Sequence, residues 1–358
     1  MASMRLALRL AVSSIAITLA FSAAPAAAQP FGIWTNFSGP THGYIRIPDS
    51  AALNPTAAFT LEAWVNVTDP GGGCSSIVGK DWHTGWWIGI CGTTLRSYLK
   101  GYIPQGGTGT YRDAGVIPTT GWTHIAVVFN GTTRLHYING ELVGSWAETG
   151  PLPANAAEVR IGSDVSFPFT PHGAIDEVRL WNVARSITQL RDKINVPITA
   201  PQPGLVAVWD YTNDVVGTHD GSVQGSGVTG FTFPVALNCG GHTATSYCVQ
   251  DTHFVVSARF RVGAPGTAEG TAQTLTCSIC QESGIFTFFA PTNWEVMFKV
   301  LNGCGLNDRF WVFSAATTNV FYRLEVFDIR AGVNKVYFNY PGPPAPAVTD
   351  VNAFATCP

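Results

Sequence analysis

The stretch WTHIAVVFNGTTRLHYINGELVGSW, residues 122–146, decides the fold. Apolar side chains occupy every second position from Ile125 to Phe129, and the positions between them are largely apolar as well, which predicts a strand covered on both faces. Asn130-Gly131 ends this run, and Asn139-Gly140 separates two further segments with a dipeptide suited to a type I′ hairpin turn. Strands that are apolar on both faces need a second layer, so the stretch predicts a meander inside a two-sheet sandwich.

The composition of the whole chain favours strands over helices. The 358 residues include 38 glycines and 23 prolines, 12% are aromatic and only 12% are charged. This balance is typical of short strands joined by many turns. The net charge is −3 and no cluster of Lys and Arg occurs, so we expect neither nucleic acid nor an anionic membrane as a partner.

The N-terminal segment has the pattern of a cleavable signal. Arg5 and Arg9 flank the start of an apolar run over 10–21, which ends in an Ala-rich stretch at 28. Residues 1–28 are therefore predicted to be a signal peptide, with an ordinary N-terminal helix as the alternative. No other stretch is long and apolar enough to span a bilayer. The mature chain is expected to be secreted, either extracellular or periplasmic.

Eight cysteines in an exported chain predict disulfides. Proximity along the sequence favours four pairs, namely Cys74–Cys91, Cys239–Cys248, Cys277–Cys280 and Cys304–Cys357. The spacing of Cys277 and Cys280 also matches a redox or metal motif, but no helical pattern follows it.

Several short phrases follow one another in a fixed order across residues 31–196. They are IPDS at 47–50, LNP at 53–55, FTLEAWV at 59–65, IVGKD at 77–81, GWTHIAV at 121–127, YINGELVG at 137–144, EVRIG at 158–162 and AIDEVRLW at 174–181. Together they resemble the laminin G-like, concanavalin A-like jelly roll. The resemblance implies an N-terminal jelly-roll domain over residues 29–196.

The remaining sequence predicts one short helix and a second β unit. Ser186 and Gln189 form a capping-box pattern ahead of residues with helical spacing. A Pro- and Gly-rich connection with closing strands follows over 197–238, and alternating segments resume over 239–358. This last part resembles an accessory domain of bacterial secreted proteins. The predicted fold class is all-β, an N-terminal concanavalin A-like jelly-roll sandwich followed by a smaller antiparallel β-sandwich.

No catalytic motif appears in the chain. Glucan-cleaving relatives of the jelly roll carry a Glu-x-Asp-x-x-Glu strand, whereas here Asp176 and Glu177 are adjacent and would point to opposite faces. His124 and His136 lie on neighbouring strands and could approach each other, but ordinary strand histidines are the simpler interpretation. The sequence therefore predicts a protein that is not an enzyme.

The candidate site residues are aromatic and acidic. Sugars stack on flat aromatic rings, and exposed members of the set Trp64, Trp82, Trp86, Trp87, Trp122 and Trp146 could form such a platform; we favour Trp82, Trp86 and His83. The resemblance implies a Ca²⁺ site, for which the candidates are Asp81, Asp164 and Asp176. Alternatively, Asp164 caps a loop and Asp176 binds backbone at the start of a strand.

These observations predict a secreted, non-enzymatic binding protein whose first domain recognises a glycan or glycoconjugate, with Ca²⁺ as a possible cofactor. Two alternatives stay open. One is an extracellular adhesion or matrix protein that binds other proteins through sheet edges or rim loops. The other is an unrecognised glycoside hydrolase, which would need two carboxylates about 5 to 10 Å apart in a groove.

Overall fold

The computed structural model describes residues 34–38, 43–69, 73–101, 110–119, 121–231, 239–275, 280–342 and 345–358. The predicted signal peptide and Cys277 lie outside these residues. The strands of the described chain pair antiparallel and are arranged as two sandwiches. A search of its helices for one long and apolar enough to cross a membrane found none.

The first sandwich contains a 3-10 turn at Ala51–Leu53 and helix α1 (Ile187–Lys193). Its strands, in chain order, are β1 (Trp34–Ser38), β2 (Tyr44–Ile47), β3 (Phe59–Asp69), β4 (Cys74–Lys80), β5 (Trp86–Cys91), β6 (Thr94–Tyr98), β7 (Arg112–Val116), β8 (Thr123–Phe129), β9 (Thr133–Ile138), β10 (Glu141–Ala147), β11 (Val159–Ile161), β12 (His172–Trp181), β13 (Leu205–Asp210), β14 (Asn213–Asp214), β15 (Ser222–Gln224) and β16 (Val228–Phe231). One sheet has the order β10-β9-β8-β3-β12-β1-β16, with β13 and β14 continuing from β12, and the other has the order β15-β2-β11-β4-β5-β6-β7.

The predicted meander is confirmed as β8, β9 and β10. Ile138 pairs with Glu141 across the second turn, and Asn139 and Gly140 both have positive φ angles, 50° and 73°, as a type I′ turn requires. Ile125, Val127 and Phe129 point into the core between the two sheets, while the alternate residues point outward.

The outward face of the nine-stranded sheet is also covered, as its sequence predicts. Helix α1 packs on it through Leu190, which meets Ala126 and Val128. The predicted capping box begins this helix, because the Ser186 hydroxyl accepts from the Gln189 amide and the Gln189 side chain accepts from the Ser186 amide. The connection after α1 completes the first sandwich, since β16 pairs with β1 and β15 pairs with β2.

The second sandwich follows from residue 246 and includes a short helix α2 (Cys304–Asn307). Its strands are β17 (Ser246–Val249), β18 (Phe254–Arg261), β19 (Gly270–Thr271), β20 (Gln273–Thr274), β21 (Ser283–Thr287), β22 (Val296–Asn302), β23 (Phe310–Ala316), β24 (Phe321–Asp328), β25 (Val333–Asn339) and β26 (Val348–Phe354). One sheet has the order β17-β18-β24-β25 with β19 beside β18, and the other has the order β20-β21-β22-β23-β26. A separate, Phe-rich core lies between these two sheets.

Apolar and ionic contacts join the two sandwiches. Trp64, on the outward face of β3, packs in one cluster with Val336 of β25, and its ring stacks on Phe338 at 6.4 Å. Arg261 of the second sandwich pairs with Glu141 of the first at 2.6 Å, and both side chains are buried. The second sandwich therefore covers part of the outward face of the nine-stranded sheet.

The most enclosed cation of the interface is Arg323 on β24. Its guanidinium pairs with Glu269 at 2.7 Å and with Glu325 at 2.6 Å, and it donates to the backbone carbonyl of Trp122 in the first sandwich. Because Arg323 is fully buried, its charge depends on these partners for the solvation that water would otherwise supply.

The hairpin turn of the meander is part of the same interface. The Asn139 side chain accepts from the His124 amide at 3.0 Å and donates to Glu269 of the second sandwich at 3.1 Å. Gly140 lies so close to Tyr340 that a Cβ atom there would be 2.4 Å from the phenol oxygen. The turn is therefore fixed from both sides.

Three of the four predicted disulfides are present. They are Cys74–Cys91, Cys239–Cys248 and Cys304–Cys357. Cys280 is also disulfide-bonded, but its predicted partner Cys277 lies outside the described residues. The first bond links the paired ends of β4 and β5, and the third ties α2 to the end of the chain.

Candidate aromatic binding site

An aromatic surface lies on the seven-stranded sheet, on the face turned away from the core. Strand pairing aligns Gly79, Trp87 and Tyr98 in one row across β4, β5 and β6. The Trp87 indole lies against the sheet because its neighbours are glycines. A Cβ at Gly89 would be 2.2 Å from the indole, and one at Gly79 would be 2.9 Å from it.

Ser76 links this surface to the loop before β12. Trp87 Nε1 donates to the Ser76 hydroxyl at 2.7 Å, and that hydroxyl donates to the Phe167 carbonyl at 3.1 Å. The Ser76 amide donates to the Phe169 carbonyl at 2.8 Å. One serine thus holds the Trp87 ring and places Phe167 beside it.

Two aspartates position Trp82. Asp81 has a positive φ of 61°, and its carboxylate accepts from Thr84 Oγ1 at 2.5 Å and from the Ser166 hydroxyl at 2.9 Å. Asp164 accepts from the Trp82 amide at 3.1 Å and from the Ser166 amide at 3.0 Å. These bonds fasten the loop after β4 to the loop after β11, and so bring Trp82 next to Phe167.

The side chains enclose a cavity of about 200 Å³, lined by Trp82, Trp87, Tyr98, Phe167, Arg96 and Cys74. Trp87 and Tyr98 are buried and form the wall nearest the sheet, while Trp82 and Phe167 are half-buried and form the outer walls. All of the lining residues belong to the first sandwich, so a ligand could reach the cavity without any movement of the second sandwich.

Arg96 supplies the charge at this cavity. Its guanidinium forms two bonds to Asp113, both of 2.6 Å, and lies over the Tyr111 ring at 4.1 Å. The hydrogen bond to Asp113 raises the pKa of Arg96. The cavity therefore has apolar ring walls with one paired cation at its edge.

The three predicted ligand-binding residues lie in three different environments. Trp82 lines the cavity, and His83 packs on its ring at 4.7 Å without lining it. Trp86 is in the core, 1% exposed and packed on Phe59, so the expectation of Trp86 on an exposed platform is wrong. Its neighbour Trp87 occupies the outward face instead, because adjacent strand residues point to opposite faces.

The three predicted metal ligands do not come together. Asp176 lies in β12 of the other sheet, where it accepts from the Glu177 amide at 2.8 Å. Within the described ranges no group of three His, Cys, Asp or Glu side chains could hold a metal ion. A Ca²⁺ ion takes roughly six to eight oxygen ligands, and this trio does not fit such a site. A requirement for calcium remains a prediction to be tested by its removal.

Asp164 has an unusual environment. It is fully buried, and its Oδ2 atom has no hydrogen-bond partner and lies against Gly79. Burial raises the pKa of Asp164 from its ordinary value of 3.8 to about 6, because the charged form loses solvation. The other carboxylate oxygen holds the Trp82 loop.

The two strand histidines have separate roles. His124 is on the outward face of its sheet, 3.3 Å from Glu62, whereas His136 points inward and bonds to Ser97 at 2.6 Å. Burial lowers the pKa of His136 to about 3, which keeps its ring neutral. Because they point to opposite faces, the pair does not form a zinc site.

Known proteins support the assignment of the first sandwich. Residues 39–191, less than half of the chain, match a laminin G family described as the concanavalin A-like lectin/glucanases superfamily. A comparison with curated protein sequences found no significant match.

Among solved structures, one match is a Bacteroides ovatus protein provisionally described as carbohydrate-binding, with 20% identity and a TM-score of 0.47. The match covers 58% of this chain and 62% of the Bacteroides protein, so this chain spans less than two thirds of the length of that protein. A Limulus polyphemus SAP-like pentraxin matches with 15% identity and a TM-score of 0.42, covering 57% of this chain and 96% of that one. The CBM40 domain of a Ruminococcus gnavus sialidase, bound to sialyllactose, matches with 12% identity and a TM-score of 0.34, covering 45% of this chain and 97% of that one. The order of the sequence phrases and the family match agree that residues 39–191 are similar to a laminin G-like domain of the concanavalin A-like superfamily.

Proposed function

We propose that this chain is a secreted, non-enzymatic binding protein whose laminin G-like domain recognises a glycan or glycoconjugate. The observation that supports the proposal most directly is the cavity lined by the rings of Trp82, Trp87, Tyr98 and Phe167. Apolar walls with a few polar groups at the edge are typical of ligand sites. The superfamily that residues 39–191 match takes its name from lectins and glucanases.

The volume of the cavity limits the size of the ligand group that can enter it. Its 200 Å³ is below the roughly 300 to 1,000 Å³ of sites for drug-sized ligands, so one ring or side group of a longer glycan is the expected occupant. The rest of the ligand would then lie along the sheet, near Tyr111, which is 47% exposed. The cavity therefore suits recognition of an end or a substituent.

The arrangement of carboxylates favours binding over hydrolysis. Asp81 and Asp164 are close enough to interact electrostatically, and a glycoside hydrolase would need two such carboxylates in a groove. However, Asp81 accepts bonds from its own loop and from Ser166, and the remaining oxygen of Asp164 lies on Gly79. Neither carboxylate lines the cavity.

Export is supported by the three disulfides of the described chain, because such bonds persist in oxidising compartments. The protein-binding alternative has one observation in its favour. Phe289, Trp294 and Met297 of the second sandwich are 57%, 59% and 47% exposed, and exposed apolar groups are common in protein interfaces.

A glycan array probed with residues 29–358, once with Ca²⁺ and once with EDTA, tests the proposal. We expect binding that Trp82→Ala abolishes and that Trp294→Ala, the matched removal of an exposed tryptophan, leaves intact. Asp81→Ala reports on the Trp82 loop and on calcium together, and the EDTA arm separates the two. Absence of binding in both buffers would favour protein adhesion, and cleavage of an array glycan in solution would identify a hydrolase.

A further inference from the structure

The four rings of the cavity form a closed circuit. Ring centroids are 5.4 Å apart for Trp82 and Tyr98, 5.9 Å for Tyr98 and Trp87, 5.7 Å for Trp87 and Phe167, and 5.4 Å for Phe167 and Trp82. Neighbouring rings are inclined by 64° to 82°. All four rings line the cavity, and we call these four residues the aromatic box.

A box of this kind suits a compact cation better than a flat sugar face. Each aromatic face carries the negative part of the ring quadrupole, and several faces around one point attract a cation within about 6 Å of their centroids. A sugar, by contrast, stacks on one open ring face. We propose that the aromatic box binds a trimethylammonium group of the choline type, carried by the glycoconjugate. This inference rests on the proposed function.

The charges near the aromatic box agree with a cationic occupant. Arg96 is the cation that lines the cavity, and its charge is compensated by the two bonds to Asp113. Asp81 and Asp164 hold the loop that carries Trp82, and neither takes part in an ion pair with any described residue. These carboxylates add a negative potential that a cation in the box would feel.

The box is also held in place before any ligand binds. The Ser76 hydroxyl fixes Trp87 and Phe167, Gly79 and Gly89 leave room for the indole, and Asp164 holds the Trp82 backbone. A site with walls fixed in advance loses little conformational freedom on binding. A methylated ammonium has no N–H group that must be satisfied, so apolar walls are sufficient for it.

The test is calorimetric titration of residues 29–358 with choline chloride and with 3,3-dimethylbutan-1-ol, its neutral isostere. We expect choline to bind at least about tenfold more tightly than the isostere, a difference of about 1.4 kcal/mol, because the isostere lacks the charge that the ring faces attract. Trp82→Ala should abolish choline binding, Trp82→Phe should retain part of it, and Trp294→Ala should leave it unchanged. Equal affinity for choline and its isostere, or heat from neither, would overturn the inference.

Two further arms identify the source of the group. Phosphatidylcholine vesicles present it on a lipid, and phosphocholine-substituted glycans present it on a sugar; we expect retention on the glycans and not on the vesicles. Array binding to neutral glycans without choline binding overturns this inference and leaves the proposed function standing. Choline binding that is confined to vesicles supports the box and overturns the glycan function.

Discussion

Replacing Asp164 with Asn should change how the stability of the protein depends on pH. The carboxyl has its pKa raised from 3.8 to about 6 by complete burial. That interval corresponds to about 3 kcal/mol, at 1.36 kcal/mol per pKa unit. Because the native state binds the proton more tightly than the unfolded state, the native protein loses stability as pH rises from about 4 to about 6 and pays no such penalty below pH 4.

Asn keeps an acceptor for the Trp82 and Ser166 amides but carries no charge. Burying the NH₂ group of Asn has a cost in stability that does not depend on pH. The quantity to measure is therefore the difference in unfolding free energy between the variant and the parent, compared at pH 4 and pH 8. We expect Asp164→Asn to gain up to about 3 kcal/mol in unfolding free energy, relative to the parent, between these pH values.

The assay is urea unfolding followed by tryptophan fluorescence at intervals from pH 4 to pH 8, with the disulfides intact. Asp192→Asn removes an exposed carboxylate from α1 and is the control for loss of one negative charge. A mutational effect of Asp164→Asn that is constant across this range, or that matches the control, would refute the assignment of the raised pKa.

Three further changes test other parts of the structure. Gly89→Ala should lower the unfolding free energy by about 1–3 kcal/mol and alter the near-UV circular dichroism of the indole beside it, whereas Gly240→Ala, which meets no atom within 4 Å, should do neither. Arg323→Ala should cost about 3 kcal/mol, because it leaves the largely enclosed carboxylates of Glu269 and Glu325, 4% and 14% exposed, without their buried cation; unchanged thermal unfolding would contradict this. Removal of the Cys304–Cys357 bond by two Ala substitutions should cost about 4 kcal/mol in denaturant unfolding, as expected for a loop of 53 residues, and a loss below about 1 kcal/mol would show that the loop is ordered without it.

The strands and the faces they present could be predicted from the sequence alone. In β3, Leu61 and Val65 point into the core and Trp64 points outward, as the alternation indicates. The same rule could have decided between the adjacent tryptophans of β5, because Trp86 shares its parity with the apolar Ile88 and Trp87 shares its parity with Gly89. The alternation of residues along β5 therefore assigns Trp87 to the outward face of the sheet. The polarity of the neighbouring residues does not make this assignment.

Other parts of the site depend on contacts between segments far apart in the chain. Phe167 follows no strand pattern, and its position results from the Ser76 hydroxyl, 91 residues earlier. The meeting of Asp81 with Ser166 across 85 residues has the same origin. Likewise, the partners of Arg323 at the sandwich interface have no local signal, since Glu269 lies 54 residues away. No local pattern encodes such pairings.

The Asn139-Gly140 turn shows how a second domain can narrow the choice of residues in the first. A type I′ turn by itself accepts Asp-Gly as well as Asn-Gly. Here the side chain at 139 must accept from the His124 amide and donate to Glu269 at the same time. Aspartate could do only the first, and it would bring a carboxylate against another carboxylate. A substitution that is neutral in an isolated hairpin should therefore be selected against in this chain, and sequence drift at this turn should be limited by the neighbouring sandwich.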